Sequence, residues 1–136
     1  MPDRMAAVWA RRQISISMAA GQCVMAVLYL FPGTLAPARP TTTRIVLELA
    51  RIGPVWTVWF GVTGIALIVA LCTHKLLHVA HAAVGSSWLG FTFALVLSAA
   101  VNHGTYILPV ATALLGVVNL SLAGGYSVHI GRKELR

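Results

Sequence analysis

The stretch Val79 to Ala100, VAHAAVGSSWLGFTFALVLSAA, decides the fold class. It carries no Asp, Glu, Lys or Arg, and it is as long as the roughly 20 residues an α-helix needs to cross a bilayer's hydrocarbon. Three further stretches, Ile14 to Phe31, Pro54 to Cys72 and Thr105 to Tyr126, share that character. Near-continuous apolar runs predict helices rather than the alternating strands of a barrel, and lipid accepts only these two because backbone polar groups must pair inside the segment. All three carboxylates, Asp3, Glu48 and Glu134, fall outside the runs. With 58% hydrophobic residues and connecting pieces too short to fold alone, residues 1–136 read as one all-α domain, a polytopic membrane protein with four transmembrane helices.

The cations predict its orientation. Arg4, Arg11, Arg12, Lys75, Arg132, Lys133 and Arg136 lie at one end of the expected bundle, seven in all, against Arg39, Arg44 and Arg51 at the other. Both termini are therefore expected on the cytoplasmic side of the cytoplasmic (inner) membrane. The formal charge of +7 reads as attraction to anionic lipid and not to nucleic acid, since the basic residues gather at span ends. Aromatic residues agree with these depths: Tyr29, Trp56, Trp59 and Tyr106 fall near the outer boundary, Trp9 and Tyr126 near the inner one. Trp88 lies mid-span, where its indole N–H needs a partner; neighbouring Ser86 and Ser87 are the expected acceptors, with a facing helix as the alternative.

Arg11-Arg12 before an apolar run, with Ala36-Pro37-Ala38 after it, has some features of a secretory or twin-arginine signal. The run is long for a signal peptide, Gln13-Ile14 continues a twin-arginine motif poorly, and Gln22 stands where lipidation at Cys23 needs a small residue, so the first span is expected to be retained. Cys23 and Cys72 both fall inside spans and read as small packing residues, not as a disulfide.

The outer loop, roughly Pro32 to Gly53, begins with helix-breaking Pro32-Gly33 and Pro37 to Pro40, followed by Thr41-Thr42-Thr43 as N-cap candidates. From Arg44 to Ile52, Arg44, Glu48 and Arg51 share one helical face while Ile45, Val46, Leu49 and Ile52 occupy much of the rest. A short helix is expected here, lying in the outer interface or packed on the top of the bundle.

Inside the membrane, Ala82, Ser86, Gly90, Ala94 and Ser98 recur every fourth residue. Small side chains let helix backbones approach closely, a main source of association in lipid. Gly61, Gly64, Gly116 and Gly124 add further sites, and Asn119 is suited to stitching helices by hydrogen bonding or to lining a wet path. These residues either pack one copy's own helices or join copies into an oligomer or pore. On a continuous helix His74, His78 and His81 form one stripe near the inner boundary, with His129 at the same side. Such a stripe fits headgroup-level histidines, a pH sensor, or ligation of a metal or haem; the expectation is no metal and no cofactor.

Enzyme chemistry finds little support. Gly85-Ser86-Ser87-Trp88 superficially matches the Gly-x-Ser-x element of intramembrane serine proteases, but no histidine stands at a matching depth. The sequence carries no HExxH, no phosphate loop and no acidic pair. It also lacks the membrane-embedded glutamate by which small four-helix exporters exchange protons.

In size, four-span hydropathy and basic tail (Arg132-Lys133-Glu134-Leu135-Arg136) the whole chain resembles phage holins, particularly the four-span proteins of lysis cassettes in phages of actinobacteria. Met1-Pro2-Asp3-Arg4-Met5 is a smaller parallel to holins with two nearby starts, although here Asp3 cancels the charge of Arg4. The resemblance implies a protein that oligomerises in the cytoplasmic membrane and permeabilises it, working beside an endolysin. The alternative is a non-catalytic small subunit of a larger membrane complex.

Overall fold

The computed structural model describes residues 2–31 and 43–134, with side chains over 6–31, 43–51 and 53–127. Five helices make up these residues: α1 (Pro2–Leu30), α2 (Arg44–Ile52), α3 (Val55–Thr73), α4 (Leu77–Asn102) and α5 (Ile107–Glu134). Four of them are long and apolar enough to cross a membrane: α1 over Ala6–Leu30, α3, α4, and α5 over Ile107–Ser127. The chain is a multi-pass, all-α membrane protein. It runs up, down, up and down, so that the N-terminal end of α1, the α3–α4 turn and the C-terminal end of α5 share one end, here the basic end. The short α2 and the α4–α5 turn share the other.

Helix α1 starts well before Ile14, where the uncharged run begins. Its added turns contain Met5, Ala6, Ala7, Ala10, Arg11 and Arg12, all strong helix formers, and a helix needs no hydrocarbon around it to continue into the headgroup layer. The helix–helix pairs are set by glycine. A methyl group placed on Gly64 of α3 would come within 3.0 Å of Gln22 Cβ on α1, and one on Gly61 within 3.7 Å of Ala26 Cβ. Between α4 and α5 the approach is backbone to backbone, for a methyl on Gly85 would meet the Gly116 carbonyl at 3.1 Å and one on Gly116 the Gly85 carbonyl at 3.3 Å.

The half of the core nearer α2 is aromatic. Phe91 stands edge-on to Trp56 at 5.1 Å and to Phe60 at 5.4 Å, and Trp88 lies 5.2 Å from Phe60. These are the separations at which rings gain more than their buried area alone. Trp88 Nε1 is buried without a hydrogen-bond partner among the described residues. Neither expected serine serves it: Ser86 is exposed, and Ser87 is engaged with Gln22.

Helix α2 sits on the end of α3 and α4. Val46 is fully buried beneath it while Arg44, Glu48 and Arg51 face outward. The first-turn N–H of Ile45, which has no partner within its own helix, donates to Ser98 Oγ of α4 at 3.2 Å, and Trp56 Nε1 donates to the Val46 carbonyl at 3.0 Å. Thr43 occupies the N-cap position without a side-chain cap bond; Ser98 does the capping from the neighbouring helix. Thr41, Thr42 and the prolines Pro37 and Pro40 lie outside the described residues. The exposed Arg44–Glu48 ion pair, 3.0 Å long and one turn apart, contributes only a few tenths of a kcal/mol, roughly.

Candidate functional site

Polar side chains buried between the spans form four rungs, and α4 supplies one residue to each. Nearest the basic end, His81 is fully buried. Its Nδ1 lies 3.0 Å from Asn119 Oδ1 on α5 and its Nε2 lies 2.9 Å from Ser15 Oγ on α1. Asn119 donates its amide to the Leu115 carbonyl at 2.8 Å and toward Met18 Sδ at 3.3 Å. Its oxygen can only accept, so the hydrogen of His81 sits on Nδ1. Ser15 also lies 2.9 Å from the Arg11 carbonyl; its one proton serves either that oxygen or His81 Nε2. The Tyr126 ring stacks on the imidazole, 5.5 Å between centroids and 12° from parallel.

In the second rung Gln22 Nε2 of α1 donates to Ser87 Oγ at 3.0 Å, and Thr63 of α3 lies 3.4 Å from Gln22 Oε1 while donating to the Trp59 carbonyl at 2.8 Å. The third pairs Thr92 with Thr112 of α5 at 2.8 Å. The fourth is Ser98 with Ile45 of α2. In lipid a bare donor or acceptor has no water to fall back on, so each rung fixes which helix faces meet; a single such bond is worth on average about 0.6 kcal/mol.

The predicted histidine stripe does not survive, because the helix it assumed is interrupted. The chain leaves α3 after Thr73, His74 and Leu76 both turn left-handed at φ 55, and α4 begins at Leu77. His74 is exposed on the turn, His78 is half-buried in the first turn of α4 with its Nδ1 covered but unpartnered among the described residues, and His81 is fully buried. The side chain of His129 lies outside the described residues. Among the described residues no three His, Cys, Asp or Glu side chains gather as metal ligands.

The small-residue row of α4 is divided among different surroundings. Ser98 and Ala94 are buried, Gly90 lies under the Trp59 indole at 3.3 Å from its would-be Cβ, Ala82 is half-buried and Ser86 faces outward. Gly61, Gly64 and Asn119 take part in contacts within one copy, the last through the His81 rung. Ser15, Gln22, Thr63, Thr92 and Thr112 escaped the sequence reading as site residues; a lone glutamine mid-span was the available signal.

No protein-family model matches this chain, and no curated protein or solved structure does either.

Proposed function

We propose that this chain is a holin-like protein of the cytoplasmic membrane, with both termini cytoplasmic, that permeabilises the membrane as an assembly of copies and so serves an endolysin system. One observation carries the reading: the core polar groups Ser15, Gln22, His81, Ser87, Thr92, Thr112 and Asn119 all bond within a single copy. The four spans carry no carboxylate, which leaves no acid–base pair between them, and the action falls to the outer surface. There Gly21 on α1 and Gly124 on α5 have no atom within 4 Å of a would-be Cβ. Open glycines on an apolar face are what close helix–helix contact between copies requires.

The expected assembly is tested by cross-linking in the membrane. Wild-type protein should give a ladder of oligomers, and Gly21→Leu or Gly124→Leu should shorten it while leaving the amount of membrane-inserted monomer unchanged. A ladder indifferent to both, or none at all, removes the basis of the proposal.

A second reading, a non-catalytic accessory subunit of a larger membrane complex, is favoured by the α4 row itself. Gly90, Ala94 and Ser98 are already covered within one copy, so they offer little to self-association. A subunit of this kind forms no homo-oligomer and is inert when produced alone.

A further inference from the structure

Three grooves open on the outside of the bundle toward its basic end, and each combines an apolar floor with a cation. Between α1 and α3, Arg12 and His74 share a groove with Ile16, Ala20, Ile68 and Leu71. Between α1 and α5, Arg11 shares one with Val117, Val118 and Leu122. Between α3 and α4, Lys75 borders a trough formed by Val69, Leu76, Val79 and Ala83. Their volumes, about 410, 330 and 500 Å³, fall in the roughly 300–1,000 Å³ range of ligand sites. Arg11 and Arg12 are neighbours on α1, a little over a quarter of a turn apart, so each serves a different flank of the helix.

Among the described residues none of these three cations pairs with an anionic side chain. Among the described residues the one ion pair is Arg44–Glu48, at the opposite end. The apolar floors lie on the outside of the bundle, with Arg11 and Arg12 in the first two turns of the first span and Lys75 in the α3–α4 turn.

We propose that each groove binds one anionic phospholipid, an acyl chain along the floor and the phosphate on Arg12, Arg11 or Lys75. The floors alone would accept any lipid tail; the fixed positive charge at the same end of each selects a headgroup with net negative charge, at about 1 kcal/mol per cation. A second copy is a poor occupant of these grooves, because its own apolar runs carry no carboxylate to set against their cations. The inference rests on the four-span fold and is independent of membrane permeabilisation.

Native mass spectrometry of the purified full chain, offered phosphatidylglycerol or phosphatidylcholine with the same tails, tests it. Wild-type protein should retain phosphatidylglycerol in preference. Arg11→Gln, Arg12→Gln and Lys75→Gln should each weaken one site about fivefold, the equivalent of that charge term, with phosphatidylcholine retention unchanged. Ala20→Phe and Ala83→Phe, which fill two floors and leave the cations in place, should also lose phosphatidylglycerol. Equal retention of the two lipids by the wild type overturns the proposal. So does a loss on removing charge with none on filling the grooves, since the attraction is then a diffuse surface effect with no bound site.

Discussion

Asn119 and His81 hold three spans together through one amide and one imidazole. Replacing Asn119 with Leu keeps the branched shape but leaves His81 Nδ1 without its acceptor, 3.0 Å away in the native bundle. Stability in detergent should fall by about 1–2 kcal/mol, the cost of one buried polar group left unmade, as read by thermal or denaturing-detergent unfolding. Ser15→Ala should cost less, because the one proton of Ser15 is divided between His81 Nε2 and the Arg11 carbonyl, so the imidazole loses only a shared bond. Both residue types stand out in the sequence as polar positions in apolar runs, yet the full burial of His81 did not. His74 leaves the expected stripe at the break at 74–76, where left-handed geometry falls on His74 and Leu76. Those residues carry none of the glycine or proline punctuation that usually marks a turn. His103, left-handed at φ 52 where α4 ends, offers a converse test: His103→Gly should raise stability by about 1 kcal/mol by relieving the Cβ clash.

At the scale of elements, the four spans and α2 were legible because hydropathy and length fix them almost without regard to tertiary structure. The partner of each helix face was not. A row repeating every four residues drifts by about 40° per step on a helix of 3.6 residues per turn. The row from Ala82 to Ser98 therefore winds from one neighbour to the next, meeting Trp59 of α3 at Gly90 and α2 at Ser98 while Ser86 faces out. The tightest crossing, Gly85 on Gly116, joins glycines that no spacing rule pairs. Gly85→Leu should push α4 from α5 and cost about 2 kcal/mol or more, whereas Gly124→Leu, with open space around it, should leave unfolding unchanged. Trp56→Phe should release the Val46 carbonyl and speed hydrogen exchange in α2 while the spans stay protected.

For the whole molecule, the cation asymmetry of seven against three makes a definite topological prediction. Reporters fused at Arg136 and inserted between Pro37 and Thr43 should report opposite sides of the membrane, with Arg136 cytoplasmic; the same side for both contradicts the four-span arrangement. On the proposed reading function is a property of this scale as well, because it belongs to an assembly of copies. Membrane potential and optical density are followed together in bacteria that produce the chain alongside a cytoplasmic endolysin. Holin-like action predicts a period of normal growth and full potential, then abrupt depolarisation followed by lysis, both delayed by Gly124→Leu at equal membrane abundance. Potential and viability that stay intact while wild-type protein accumulates contradict it, and leave the accessory-subunit reading in its place.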